Sequence, residues 1–231
     1  MPLKDIAARQ NSLHAKSTPQ MILRHALEDP RIGDTALVSS FGAESVVLLH
    51  MAAEIDANVP VIFLDTEMLF PETLTYQAEV AETLGLTDVR IITPDRAAVL
   101  ERDVDGILHQ ADVDACCTLR KTEPLERALK PFGSWITGRK RFQNGARAAL
   151  PLFEKDPAGD RIKVNPLATW DRDQVASYIA VHDLPRHPLV SQGYRSIGCW
   201  PCTNPVGVGD DDRAGRWEGR EKTECGIHFG A

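Results

Sequence analysis

The feature that most constrains the fold is an alternation of short apolar runs with longer amphipathic stretches along the first half of the chain. The apolar runs have the length of buried strands, and the stretches between them have the period of a helix. The strand patterns are "TALVSS", "PVIFLD", "DVRIITP" and, further on, "SWITG", and the helix patterns include "AESVVLLHMAAEI" and "PETLTYQAEVAETLG". Strands that alternate with helices form a parallel sheet covered by those helices. We therefore predict an α/β fold, a Rossmann-like parallel sheet with helices on both faces.

The size and composition of the chain suit one such domain. It has 231 residues, of which 43% are hydrophobic and 26% are charged, and this is enough for a sizeable core. No apolar run approaches the length of a membrane span, and the N-terminal residues lack the apolar stretch of a signal peptide. The formal net charge of −7 argues against broad binding to nucleic acid. We expect a cytoplasmic protein that binds neither membranes nor nucleic acid.

The periodic patterns end well before the end of the chain. From about Pro185 onward the sequence is rich in Gly, Pro and Arg, a composition typical of site-forming loops and mobile segments. We predict one domain over residues 1–203 and a flexible C-terminal tail over residues 204–231. The sequence leaves open whether the chain forms homo-oligomers.

The turn after the first predicted strand is a candidate nucleotide site. In an open parallel sheet, ligands bind beyond the carboxyl ends of the strands, where helix N-termini present free N–H groups to anions. "SSFGAES" lies at such a turn, and its Ser39, Ser40 and Gly42 offer hydroxyl groups and a close backbone approach to a phosphate. Leu64 ends the next strand nearby. Small residues are also common in ordinary turns, so this signal alone does not identify a ligand.

The five cysteines divide into four plus one. Cys116 and Cys117 are adjacent, Cys199 and Cys202 form a CxxC pair, and Cys225 stands alone. Adjacent side chains diverge, so they suit a single tetrahedral zinc poorly, whereas each cysteine of a [4Fe–4S] cluster binds a different iron. The pattern favours a [4Fe–4S] cluster over zinc. The alternatives are buried small side chains or a strained vicinal disulfide.

Basic residues recur close to these cysteines in the sequence. Lys121 lies four residues after Cys117, on about the same helix face, where its ammonium group would offset the charge of thiolates. Arg213 and Arg216 are spaced so that paired guanidinium groups could bind an oxyanion. A basic loop, "GRKRFQNGAR", contains Arg139 and Arg147. The alternative for all of them is a charged, solvated surface.

Cys225 is a candidate nucleophile. Thiolate is the reactive form of cysteine, and the basic residues Arg220 and Lys222 near it, together with His228, favour a lowered pKa. His228 is also placed to assist proton transfer. The alternative interpretations are an unremarkable surface thiol and a solvated histidine.

Together these motifs resemble one family, the assimilatory sulfonucleotide reductases of the iron–sulfur type that act on adenosine 5′-phosphosulfate (adenylylsulfate, APS). The resemblance extends from about residue 35 to the end of the chain. It is carried by "SSFGAES", "LDTEMLFPET", "ACCTLRKTEPL", "ITGRKRFQNGAR", "NPLATW", "HPLVSQGYRSIGCWPCT", "RAGRW" and "ECGIH". It implies an adenine nucleotide alpha hydrolase-like fold and a place in sulfate assimilation and cysteine biosynthesis.

The resemblance also implies a role for each candidate residue. Cys225 would attack the sulfur of APS, releasing AMP, and thioredoxin or glutaredoxin would release sulfite from the resulting S-sulfocysteine. The substrate-binding residues would be Ser39, Ser40, Gly42, Leu64, Arg139, Arg147, Arg213 and Arg216. Lys121 and His228 would assist catalysis, and the cluster ligands would be Cys116, Cys117, Cys199 and Cys202.

Three alternative functions remain at this stage. The first is reduction of the 3′-phosphorylated nucleotide (PAPS), or activity on both nucleotides. The second is an ATP-pyrophosphatase-type thiolation enzyme, which would need an "SGGxDS"-like loop where this chain has "SSFGAES". The third is a zinc-stabilised binding module without catalysis.

Overall fold

The computed structural model of the protein describes residues 2–143 and 145–228. Within them a six-stranded sheet forms the centre of the molecule. Its strands are β1 (Thr35–Ser39), β2 (Val61–Leu64), β3 (Val89–Ile92), β4 (Ser134–Ile136), β5 (Phe153–Lys155) and β6 (Ile162–Val164). The strand order is β3-β2-β1-β4-β6-β5. All neighbouring pairs are parallel except β5 and β6, which are antiparallel.

Helices surround this sheet. They are α1 (Leu3–Leu13), α2 (Pro19–Glu28), α3 (Ser45–Ala53), α4 (Pro71–Thr83), α5 (Arg96–Arg102), α6 (Leu108–Ala111), α7 (Val113–Cys117), α8 (Glu123–Leu129) and α9 (Arg172–Val181). Local sequence sets several of their ends. The Thr18 hydroxyl accepts a hydrogen bond from Met21 N at the start of α2, and Asp171 and Gln174 form a capping box at the start of α9.

The helix that carries Cys116 and Cys117 is interrupted. The sequence predicts a kink at Pro124, and the structure has a π-helical turn over Thr118–Thr122 between α7 and α8. Pro124 occupies the first turn of α8. Proline has no N–H for the usual i→i−4 bond, so the chain is disturbed in the turn before it. This widened turn carries Lys121.

Two apolar clusters lie on opposite faces of the sheet. The larger includes Leu37 and Phe63 from the strands, packed against α1 to α4 and α9. The smaller includes Ile62 and Trp135, packed against α8. Successive residues of a strand face opposite sides, so Ile62 and Phe63 belong to different clusters. The predicted α/β sheet with helices on both faces is confirmed.

The strand order places a natural crevice at the centre of the sheet. The chain runs outward from β1 through β2 to β3, and then returns to the other side of β1 for β4. Ligands of open α/β sheets bind beyond the carboxyl ends of the strands where the order reverses in this way. The residues after β1 and β4 are therefore the expected walls of a site. No helix of the described residues is long and apolar enough to cross a membrane.

We expect Gly133→Ala to destabilise this fold. A Cβ atom there would lie 2.8 Å from the carbonyl oxygen of Ile32 and 3.0 Å from Gly33 Cα, and these backbone atoms, which lead into the paired central strands β1 and β4, cannot move aside freely. The free energy of unfolding should fall by about 1–3 kcal/mol, the usual cost of overpacking. Urea unfolding measures it, with Gly145→Ala as control because nothing lies within 4 Å of that Cβ. Equal stability of both variants would contradict this account.

Candidate active site

A cavity of about 240 Å³ opens at the carboxyl ends of β1, β2 and β4. Every predicted catalytic and substrate-binding residue lines it. These residues are Ser39, Ser40, Gly42, Leu64, Lys121, Arg139, Arg147, Arg213, Arg216, Cys225 and His228. The turn, the basic loop and the C-terminal segment, which are far apart in sequence, therefore meet at one place.

The turn after β1 forms one wall of the cavity. Phe41 has a positive φ of 47°, and its N–H donates to Ser39 Oγ at 3.1 Å. Gly42 N donates to Ser45 Oγ at 3.0 Å. A Cβ on Gly42 would come within 3.3 Å of Ser40 Oγ and 3.4 Å of the carbonyl oxygen of Ile197. The turn is tight, and glycine lets it approach the segment that leads to Cys199.

The basic loop places buried cations beside this turn. Arg139 donates to Glu154 and, at 3.1 Å, to Asn165 Oδ1. Burial lowers the pKa of Arg139, and the charge of Glu154 opposes this effect. Lys140 Nζ lies 2.8 Å from Glu44 Oε2. These cations are held in place by carboxylates of neighbouring elements, which partly compensates the cost of burying them.

The C-terminal segment packs along the cavity. Glu224 is buried, with 5% of its surface exposed, and its carboxylate accepts from Arg147 Nε at 2.5 Å and from Arg213 Nη2 at 3.4 Å. Burial raises the pKa of Glu224, but the hydrogen bond and charge of Arg147 and the charge of Arg213 outweigh it, so the net pKa is lowered. Burial lowers the pKa of Arg213 to about 10. The part of the tail around Glu224 thus lies against the domain, and the flexibility predicted for residues 204–231 stays a prediction.

Arg216 has few polar partners among the described residues. Its Nη1 donates weakly to Ser196 Oγ at 3.4 Å, and its buried Nε has no hydrogen-bond partner among the described residues. The guanidinium lies 4.5 Å from the ring centre of Trp217. A Cβ on Gly198 would collide with it. An anion entering the cavity would find an incompletely satisfied guanidinium here.

Cys225 lies where its thiolate is favoured. Without a metal group on Cys117, a hydrogen bond from the Cys117 thiol lowers the pKa of Cys225 well below its usual value, and the charge of Lys121 adds to this effect while burial opposes it. The pKa of Lys121 is raised: burial lowers it, but the charges of Cys199, Cys225 and Cys117 outweigh burial. An ionised thiol beside an ammonium group at the rim of a cationic cavity is suited to nucleophilic attack on an anionic substrate.

The other four cysteines share a second, small pocket. It is lined by Cys116, Cys117, Cys199 and Cys202 and also by Lys121 and Trp217, which line the large cavity too. The Thr66 hydroxyl lies 3.1 Å from Cys199 Sγ. Burial raises the pKa of the Cys116 thiol to about 11, so this thiol ionises readily only beside added positive charge.

The chemistry of these four cysteines fits a thiolate-bound metal group. No group of three or more His, Cys, Asp or Glu side chains among the described residues is arranged to hold a metal ion. The four thiols nevertheless border one pocket. In an iron–sulfur cluster each ligand binds a separate iron, so two adjacent cysteines can both be ligands.

His228 lies in an apolar and cationic environment. Its ring is nearly parallel to that of Trp135, at 7° and 6.2 Å between centroids. Burial lowers the pKa of His228 well below its ordinary value, and the charges of Lys163 and Arg139 lower it further. The imidazole is therefore neutral, and its buried Nδ1 has no hydrogen-bond partner among the described residues. A proton-donating role for His228 would require a change in these surroundings.

Two residues of the site were missed from sequence. Glu224 directly precedes Cys225, and a buried carboxylate within an arginine-rich tail could have been suspected from that neighbourhood. Lys163 lies in β6 and is 0% exposed, with Nζ 4.4 Å from the ring centre of Trp135. A single lysine inside the apolar "RIKVNPL" pattern was the available signal.

Comparison with known proteins identifies the class of this site. The phosphoadenosine phosphosulfate reductase domain matches residues 34–205. The chain belongs to this family, so the resemblance seen in the motifs is confirmed at that level. This membership and the sheet architecture make the chain a sulfonucleotide reductase rather than a binding module.

Individual relatives cover most of the chain. It is 51% identical to an adenosine 5′-phosphosulfate reductase of Mesorhizobium japonicum, over 96% of this chain and 87% of the relative. It is 40% identical to a phosphoadenosine 5′-phosphosulfate reductase of Gloeobacter violaceus, over 91% of this chain and 88% of that one. The crystal structure of a PAPS reductase from Candida auris, a phosphate complex, is similar with a TM-score of 0.73 and 30% identity, over 87% and 96% of the two chains.

We expect Lys163→Met to stabilise the protein in a pH-dependent way. Burial lowers the pKa of Lys163 from 10.5 to about 7. Below about pH 7 the lysine is charged in both states, and the native state carries the full cost of a buried charge. Between about pH 7 and 10.5 the unfolded state binds more protons, so the stability of the wild type rises with pH relative to the variant.

The difference in the free energy of unfolding between Lys163→Met and the wild type measures this effect. The Met variant should be more stable by a few kcal/mol near pH 6, since each unit of pKa shift corresponds to about 1.4 kcal/mol, and the difference should shrink toward about pH 10. Urea unfolding over this pH range is the measurement. Lys130→Met, at an exposed position, is the control. A pH-independent difference would refute the assignment of a lowered pKa.

Proposed function

We propose that the chain is an adenylylsulfate reductase, which reduces APS to sulfite and AMP. The observation that carries the proposal is the position of Cys225, on a cavity lined by Lys121, Arg213 and Arg216 at the nucleotide-binding edge of the sheet. The 51% identical relative is named for this activity. Such a site offers an anionic sulfonucleotide both electrostatic binding and a thiolate nucleophile.

The proposed chemistry has two half-reactions. The Cys225 thiolate attacks the sulfur of APS, the bond from that sulfur to the phosphate oxygen breaks, and AMP leaves with the bonding electrons. The product is S-sulfocysteine on Cys225. A dithiol donor, thioredoxin or glutaredoxin, then supplies two electrons, releases sulfite, restores the Cys225 thiol and becomes a disulfide.

The wall residues have distinct proposed roles. Ser39, Ser40, Gly42 and Leu64 would contact the nucleotide. Arg213 and Arg216 would bind the phosphosulfate together with Lys121, and Arg139 and Arg147 would contribute charge. His228 would pack against Trp135 as a neutral ring and hold the end of the tail beside the cavity.

Cys116, Cys117, Cys199 and Cys202 would hold a [4Fe–4S] cluster. When bound, the cluster would act electrostatically and structurally rather than as a source of electrons. Colour distinguishes it from zinc, because an iron–sulfur protein is brown and a zinc protein is colourless. A reducing compartment such as the cytoplasm suits free thiols and this cofactor.

Activity on PAPS is the second candidate. The Gloeobacter violaceus relative, at 40% identity, and the Candida auris structure are both named as PAPS reductases. The higher identity to the Mesorhizobium japonicum protein favours APS. Single-turnover rates with the two nucleotides at equal concentration would decide between them.

We expect Cys225→Ser to abolish sulfite release and to leave the brown colour unchanged, because Cys225 is the nucleophile and no cluster ligand. The measurement is intact mass spectrometry of anaerobically purified protein after incubation with APS and no reductant, followed by peptide mapping. The wild type should gain one sulfonate on Cys225, which reduced thioredoxin removes. A sulfonate on another cysteine, or a colourless variant, would show that the four-plus-one division is wrong.

We expect Arg216→Ala to weaken APS binding. Loss of a hydrogen bond to a charged group costs about 1.5–3 kcal/mol, or roughly tenfold to a hundredfold in affinity. Calorimetric titration in a Cys225→Ser background prevents turnover during the measurement. Arg186→Ala, at an exposed position, is the matched control. Equal affinity of the two variants would remove Arg216 from the substrate site.

A further inference from the structure

Glu224 connects the tail to the cavity wall through a buried charge. Its carboxylate forms ion pairs with Arg147 from the basic loop and with Arg213 from the segment after residue 203. A carboxylate with 3% of its side chain exposed is tolerated in a protein only with such partners. Separation of the tail from the wall would therefore leave charges without their compensation.

The same carboxylate fixes the backbone of the neighbouring residue. Glu224 Oε1 accepts a hydrogen bond from Cys225 N at 2.9 Å. The arginines that hold Glu224 thus also determine where Cys225 lies. One further local bond, from His228 N to the carbonyl oxygen of Cys225 at 3.1 Å, shapes the turn that follows.

Other attachments of this part of the tail differ in burial. Lys222, whose side chain is 10% exposed, pairs with Asp114, whose side chain is 77% exposed, and Arg220 Nη1 donates to the carbonyl oxygen of His109 at 2.6 Å. The His228 ring lies against Trp135. Ion pairs with an exposed partner contribute little to stability because water and salt screen them. Among the ion pairs of this part of the tail, those of Glu224 should therefore matter most, because both of their side chains are largely buried.

We infer that Glu224 is the latch of the site: its carboxylate, bound by Arg147 of the basic loop and by Arg213 from an earlier part of the tail, holds residues 221–228 against the cavity wall and positions Cys225 at the cavity. The positioning part of this inference rests on the proposed function, in which Cys225 is the nucleophile. The docking part does not, since it concerns only the contacts of the tail. Glu224 is a positioning residue, and it acts through Cys225 rather than on the substrate.

Hydrogen–deuterium exchange tests whether Glu224 holds the tail against the wall. The sample is the protein with its metal group bound and without nucleotide. Glu224→Gln keeps the size of the side chain and removes its charge. Exchange in a peptide covering residues 221–228 should become at least tenfold faster, while peptides from β1 and β2 stay unchanged. Glu221→Gln, an exposed glutamate of the same segment, should behave as the wild type within twofold. Glu224→Asp keeps the charge with a shorter reach and should give intermediate exchange.

Single-turnover formation of the Cys225 adduct at saturating APS tests the positioning. Glu224→Gln should slow it at least tenfold without weakening the affinity for AMP, and Glu224→Asp should recover part of the rate. A merely structural defect would weaken AMP binding as well.

The outcomes separate the two proposals. Unchanged exchange in folded Glu224→Gln would overturn the latch, even if the wild type forms the adduct. Absence of the adduct on wild-type Cys225 would instead overturn the proposed function, and the exchange results would still decide the docking. If Glu224→Gln does not fold, Glu224→Asp supplies the test, and wild-type exchange in that variant would refute the latch.

Discussion

The site depends on the burial of positive charge at one edge of the sheet, in a chain whose net charge is −7. Buried cations are unfavourable unless carboxylates or anions compensate them. Arg139 is matched by Glu154 of β5, and Arg147 is matched by Glu224 of the tail. The antiparallel edge strand and the C-terminal segment therefore do more than cover the sheet, since each supplies the countercharge that lets the cavity keep its arginines.

The two pockets are coupled by a single turn of helix. Cys117 ends α7, and Lys121 follows within the π-helical turn that precedes Pro124. Lys121 lines both the cysteine pocket and the large cavity. The disturbance of a helix by a proline is unfavourable by itself, because a backbone hydrogen bond is lost. Here the disturbed turn carries the Lys121 ammonium group between the four thiols of the small pocket and Cys225, where positive charge favours thiolates on both sides.

Local sequence patterns predict most of the central strands, but neither the short strands β5 and β6 nor the order of the strands in the sheet. The runs that end at Ser39, Leu64 and Ile136 predicted β1, β2 and β4 at their observed places, because a strand buried on both faces is an apolar run in any context. The run that ends at Ile92 predicted β3 as well, although this edge strand is more exposed. The strands β5 and β6 were not predicted. They have three residues each, and their polar residues acquire partners only after folding. The strand order is likewise set by long-range crossovers that no local segment encodes.

The site was predictable where chemistry requires a particular residue type. Paired cysteines indicate metal binding and closely spaced arginines indicate anion binding in any fold, so both were identified from the sequence. Glu224 and Lys163 were not, because acidic and basic side chains are usually solvated, and only the packed structure shows that these two are buried. Lys140 was seen as part of a basic loop, but its ion pair with Glu44 joins residues 96 positions apart and could not be read from the sequence.

The attachments of the tail change in kind along its length. Trp217 is 3% exposed, its N–H bonds the carbonyl oxygen of Cys202, and the preceding residue, Arg216, bridges to Thr203. This part is anchored by an apolar side chain and by backbone hydrogen bonds to the cysteine pocket. Beyond it, ion pairs and polar contacts dominate, with Ile227 in partial contact with the smaller apolar cluster. Replacing polar contacts with contacts to water costs less free energy than exposing a buried tryptophan side chain. Any separation of Cys225 from the cavity should therefore begin after Trp217, and Arg213 and Arg216 of "RAGRW" should stay in place.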